Sequence, residues 1–214
     1  MFQTAFFDLD GTLTESGIGI TRSVAYALKK HGITETDQAK LDRFVGPPLI
    51  DSFMRYYGFT KEQAVQAVAD YREYYAVTGI FENRVYDGVV EMLKVLREHG
   101  VRCILATSKP DGYANQILEH FGLAEYFDFV AGATMDESRS HKDAVLEYAI
   151  KECGIKDPSR SVMIGDRKYD VLGGKKFGFK TVGLLYGFGS EEEIADCNPD
   201  FIAKTVDELT EILL

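Results

Sequence analysis

The stretch FFDLDGTLTES, residues 6–16, sets two carboxylates, Asp8 and Asp10, two residues apart at the end of an apolar run. Like charges at that spacing repel, and a buried carboxylate is strongly disfavoured unless it is paired. A bound cation would resolve the conflict. Residues 3–9 are apolar on successive positions, which predicts a strand covered on both faces, as in a parallel sheet. Strand alternation would then put Asp8 and Asp10 on the same side of the chain.

Further along, VRCILAT at 101–107, SVMIG at 161–165 and TVGLL at 181–185 repeat the buried-strand pattern, and FDFVAG at 127–132 is a shorter candidate. Helical periods lie between them at 88–99, 111–121, 142–153 and 168–177. The first of these ends at Gly100, a suitable C′ residue. The final segment opens with Thr205 and Glu208 at capping-box spacing. Strands alternating with helices predict a doubly wound α/β domain whose ligand lies at the carboxyl ends of the strands.

Residues 16–83 interrupt the alternation. Four helical stretches follow one another there, most of them ending at glycine, and Thr60 with Gln63 has capping-box spacing. The expected organisation is a catalytic core from 1–15 and 84–214, with an all-helical insert at 16–83 placed as a lid. The aromatic series Tyr56, Tyr57, Tyr71, Tyr74 and Tyr75 is expected to pack the insert's helices together rather than to line a nucleobase slot.

Of 214 residues, 45% are hydrophobic and 27% charged, the profile of a soluble globular chain. The formal net charge of −10 argues against a nucleic-acid backbone or an anionic membrane as partner, since both reward clustered Lys and Arg. An anionic ligand would need a local cationic site. Cys103, Cys153 and Cys197 form no CxxC pair, so a reducing cytoplasm is the expected compartment. The start of the chain, MFQTAFFDLD, reads as neither a signal peptide nor a membrane span. The four histidines have no metal-ligand spacing.

Each strand end supplies polar groups. ATSKP offers the hydroxyls of Thr107 and Ser108 and backbone amides ahead of a helix, a cradle for phosphate. GDRKYD supplies Asp166 and Asp170, four apart and able to share a helix face. Lys142 opens a helix, where its charge could neutralise a phosphate oxygen. Several carboxylate oxygens suit a hard cation such as Mg²⁺. Together these groups fit phosphoryl transfer: Asp8 attacks in line to form an aspartyl-phosphate, and Asp10 protonates the leaving oxygen and then activates water.

DLDGT at 8–12, the hydroxyl pair after the second strand, the isolated Lys142 and GDRKYD at 165–170 resemble the four motifs of the haloacid dehalogenase superfamily, in order along essentially the whole chain. The insert resembles that superfamily's helical cap. GLLYGFGSEEE at 183–193 is similar to its phosphoglycolate phosphatase and 5′-nucleotidase branches. The resemblance implies that Asp8 is the nucleophile and Asp10 the general acid/base. It implies a Mg²⁺ site of Asp8, Asp10 (through its backbone carbonyl), Asp166 and Asp170, the last directly or through water. It also implies that Thr107, Ser108 and Lys142 hold phosphate. Many relatives place proline after the motif lysine, where this chain has Asp143.

The expected activity is therefore hydrolysis of a small soluble phosphomonoester by a monomer or weak homodimer. The nearest rival is a phosphomutase of the β-phosphoglucomutase type, which would use the same Asp8 chemistry.

Overall fold

The computed structural model describes residues 2–136 and 138–214. β1 (Thr4–Phe7) is the four-residue buried run TAFF, and it stands in the middle of a six-stranded sheet. The remaining strands are β2 (Arg102–Pro110), β3 (Phe129–Ala133), β4 (Ser161–Gly165), β5 (Lys180–Leu184) and β6 (Phe201–Ala203). Their order is β3-β2-β1-β4-β5-β6, and every neighbouring pair is parallel. The order turns outward in both directions from β1 and β4, and in open sheets of this kind ligands bind at the carboxyl ends beside such a switch point.

The chain divides into two compact units, Glu15–Arg84 and a second made of Met1–Thr14 with Val85–Leu214. The smaller unit is helical: α1 (Gly17–Lys30), α2 (Gln38–Asp42), α3 (Leu49–Tyr57), α4 (Lys61–Tyr75) and a 3-10 turn at Gly79–Phe81. The capping box at the start of α4 is complete, with Thr60 accepting from the Gln63 amide and the Gln63 side chain accepting from the Thr60 amide. α1 and α4 run antiparallel, as shown by Tyr26 on Glu73 (3.0 Å) and Lys30 on Asp70 (2.5 Å). The aromatics form the interior of this unit. Tyr71 and Tyr75 stack at 5.1 Å, and Phe44 meets the rings of Phe53, Tyr56 and Tyr57 at 5.0–6.0 Å.

The larger unit carries α5 (Val89–Glu98), α6 (Asp111–His120), α7 (Lys142–Cys153), α8 (Lys168–Lys176), α9 (Glu191–Asp196) and α10 (Val206–Leu213). Phe6, the register partner of Ile104 and Met163, packs with Val145 and Leu146 of α7 in a fully buried core. Its ring stacks on Phe179 at 4.8 Å.

Three elements differ from the sequence pattern. β6 and α9 lack a legible signal, because β6 is a three-residue edge strand with Phe201 and Ile202 exposed. It is held locally by Asp200, which accepts from the amide and hydroxyl of Thr181. β2 also runs past residue 107 to Pro110, and its register against β3 shifts between Ala106 and Pro110. Irregularities of this kind re-aim side chains next to functional sites.

Replacing Phe6 by Ala removes a ring from the layer beneath the strand ends. It should destabilise the larger unit by about 3–5 kcal/mol in urea unfolding; a loss under 1 kcal/mol would show that this layer does not hold the sheet.

Candidate active site

β1 and β4 are neighbours, and each is followed by an aspartate. The Asp8 amide extends the pairing by one residue, donating to the Ile164 carbonyl at 3.0 Å. The chain then turns back on itself, with the Leu9 carbonyl accepting from the amides of Leu13 (2.9 Å) and Thr14 (3.0 Å). Gly11 sits in this turn at φ +80°, and a Cβ there would lie 2.2 Å from Asp166 Oδ2. Only glycine lets the DLDGT turn lie against Asp166.

Asp166 is fully buried and Asp170 nearly so. They do not share a helix face, in contrast to the sequence pattern. Arg167 is extended (φ −123°, ψ 155°), so Asp166 stands in the loop before α8 and only Asp170 is helical. The Arg167 amide donates to Asp170 Oδ2 at 3.1 Å, which ties the acid to the start of the helix. α7 delivers Lys142 at its first residue. The ammonium donates to the Ala106 carbonyl at 2.7 Å and ion-pairs Asp8 Oδ1 and Asp170 Oδ1 at 2.8 Å each. Burial opposes its charge, but Asp170 and Asp8 outweigh that and raise the Lys142 pKa.

The end of β2 adds a residue that the motif reading passed over. Thr107 is buried and its hydroxyl oxygen accepts from the Lys109 amide at 3.2 Å, while Ser108 is half-buried. Lys109 is buried, and its ammonium meets Asp10 Oδ2 at 2.9 Å. Asp8 and Asp10 therefore pair with different lysines. Lysine between a hydroxyl pair and a proline has no spacing that marks it; it lies in the stretch of β2 where the register against β3 shifts.

Asp8, Asp166 and Asp170 each offer an oxygen, and these oxygens lie within 4.8 Å of one another. Counted as ionised, the buried acids Asp8, Asp10, Asp166 and Asp170 exceed the buried lysines Lys109 and Lys142 by two charges (four against two). Burial, with Asp170 and Asp8 nearby, pushes Asp166 up to about 8, and burial pushes Asp170 up to about 6 against the attraction of Lys142. An all-oxygen donor set with a deficit of two positive charges fits a hard divalent cation.

Asp143 pairs with Lys176 at 2.7 Å and accepts from the Ala144 amide at 2.9 Å, so it adds no charge to the lysine beside it.

A parallel sheet with three carboxylates and a lysine gathered at its central strand ends defines a hydrolase of the haloacid dehalogenase-like class. The model of the haloacid dehalogenase-like hydrolase family matches residues 5–184, and the chain belongs to that family. It is 41% identical over 212 residues to a 5′-nucleotidase of Pseudomonas aeruginosa, covering 99% of this chain and 96% of that protein. It is 38% identical to the tyrosine-protein kinase PtkA of Mycobacterium tuberculosis, over 99% of this chain and 72% of that protein. The crystal structure of a predicted phosphatase from Clostridium acetobutylicum superposes with a TM-score of 0.97 at 46% identity, covering 100% of this chain and 98% of that one.

The raised carboxylates give a pH signature to the metal-free protein. Both folded-state values lie above the usual 3.8, so between pH 4 and 8 the folded state holds more protons than the unfolded one. Stability from this source is present below about pH 4 and is lost as pH rises through 6 and 8. In EDTA the Tm should fall from pH 5 to pH 8, and Asp166→Asn should flatten that slope. A slope unaffected by the substitution would remove Asp166 as its origin.

Proposed function

We propose that the chain is a Mg²⁺-dependent phosphatase that hydrolyses a small phosphomonoester of nucleotide or phosphoglycolate type through a phosphoaspartate on Asp8. The observation that carries it is the meeting of Asp8, Asp166 and Asp170 around a charge deficit, with Lys142 bridging two of them. Mg²⁺ would be held by the carboxylates of Asp8, Asp166 and Asp170 and the Asp10 backbone carbonyl, and would supply positive charge toward the phosphoryl oxygens.

An oxygen of Asp8 attacks phosphorus, and the bond from phosphorus to the alcohol oxygen breaks. Asp10 gives its proton to that oxygen, and the alcohol leaves. Asp10 then takes a proton from water, whose oxygen attacks the phosphoaspartate; the Asp8–phosphorus bond breaks and inorganic phosphate is released. Lys142 keeps counter-charge on Asp8 in its resting form and faces the transferred group's oxygens once Asp8 is esterified. Thr107 and Ser108 contribute hydroxyl donors. On this reading the helical unit Glu15–Arg84 serves as the cap and carries the residues that set specificity. Similarity to the Pseudomonas 5′-nucleotidase supports a nucleoside monophosphate as the first substrate to try.

Phosphate release from nucleoside monophosphates, phosphoglycolate, pyrophosphate and sugar phosphates should require Mg²⁺, vanish in excess EDTA and be strongest for one compound. Isomerisation of a hexose phosphate without phosphate release would replace hydrolysis by the mutase reaction. Asp8→Asn should keep the far-ultraviolet spectrum and lower turnover by about a thousandfold or more. Near-normal hydrolysis by that variant would overturn the nucleophile assignment.

A further inference from the structure

We propose that the loop after β5, residues 185–189, is a clasp that orients Asp166 for the cation, with Tyr186 as its positioning residue. The proposal rests on the reading of Asp166 as a cation ligand.

Asp166 is the acid of the cluster that meets no ammonium among the described residues; its partners are dipoles. The Phe188 amide donates to Oδ2 at 2.7 Å, and the Thr12 hydroxyl lies 3.4 Å from Oδ1. Both donors belong to one assembly. The Tyr186 hydroxyl donates to the Thr12 carbonyl at 3.1 Å, joining the clasp to the DLDGT turn, and its ring stands edge-on to Tyr86 at 5.1 Å and 71°. The chain passes so close that a Cβ on Gly187 would fall 2.4 Å from both Asp166 Cβ and the Gly11 carbonyl oxygen.

The far end of the loop is anchored on the other side of Asp166. Ser190 caps α9 by accepting from the Glu193 amide at 3.0 Å. Glu193 in turn accepts from Arg167 Nε at 3.0 Å, Arg167 Nη2 at 3.3 Å and the Lys168 amide at 3.0 Å. The clasp is thus fastened at two places beside the cluster: to Thr12, just after Asp8 and Asp10, and to Arg167 and Lys168, between Asp166 and Asp170. Burial raises the Tyr186 pKa, so the hydroxyl remains a donor throughout neutral pH.

A carboxylate free to rotate must be ordered when the cation binds, and that ordering subtracts from affinity. Partners that hold a ligand in its binding pose remove this cost, and losing one lowers metal affinity about 10–100-fold. With Oδ2 of Asp166 engaged by a fixed amide and Oδ1 beside the Thr12 hydroxyl, rotation of the carboxylate is restricted before any cation binds. Tyr186 acts at one remove, through the Thr12 turn and the neighbouring amide.

Tyr186→Phe keeps the ring and its contact with Tyr86 and removes only the hydroxyl. Titration calorimetry with Mg²⁺ should show Kd raised about tenfold. The Mg²⁺-induced rise in Tm should shrink, and the Mg²⁺ concentration giving half-maximal phosphate release should increase by a similar factor. Gly187→Ala, which presses a methyl against Asp166, should weaken Mg²⁺ in the same direction. Unchanged Kd in Tyr186→Phe, with only a lower metal-free Tm, would make the contact purely structural and overturn the clasp while leaving the proposed function standing. Absence of Mg²⁺ binding by the unsubstituted protein would overturn both.

Discussion

Four buried carboxylates stand at the strand ends, and their partners are unequal. Asp8 and Asp170 share the ammonium of Lys142, and Asp10 has that of Lys109. Asp166 has an amide and a hydroxyl and is pushed up to about 8. Partial charges on dipoles cannot balance a full charge in a buried site. On the proposed reading the missing positive charge belongs beside Asp166, whose oxygen lies within 4.8 Å of oxygens of Asp8 and Asp170. The rest of the larger unit can be read as the apparatus that keeps these repelling groups together until that charge arrives.

The apparatus is the sheet. β1 is hydrogen-bonded on both sides, to β2 and to β4, and its residues are buried on both faces. Asp8 cannot retreat from Asp166 without breaking the pairing of its own amide with Ile164. Repulsion that would drive flexible loops apart is here opposed by the core around Phe6, Met163 and Phe179. Loops carry the chemistry and strands carry the strain of holding it, the usual division of labour in open α/β sheets.

Much of this was legible in the residues alone, for identifiable reasons. Buried parallel strands are apolar on successive positions, so TAFF and SVMIG announce themselves, and the acids that follow them stand out against the runs they end. Asp8, Asp10, Lys142, Asp166 and Asp170 come together in the structure, and Thr107 lies at the end of the adjacent strand β2. Three features were hidden. Lys109 lies where the register between β2 and β3 shifts, and its pairing with Asp10 is a property of the folded strand rather than of spacing. The placement of Asp166 off the helix depends on the extended conformation of Arg167. The Phe188 contact is made by a backbone amide, which any residue but proline could supply, so its side chain carries no signal.

Lys109 changes how the DLD pair is understood. Two acids two residues apart suggest a shared counter-charge, and one cation would couple them: a proton added to either would free that cation for the other. Separate lysines weaken this coupling. Lys142 lies with Asp8 and Asp170, whereas Lys109 pairs with Asp10. On the proposed reading, the acid–base group and the nucleophile can stand two residues apart because their counter-charges come from two different elements, β2 for Asp10 and α7 for Asp8.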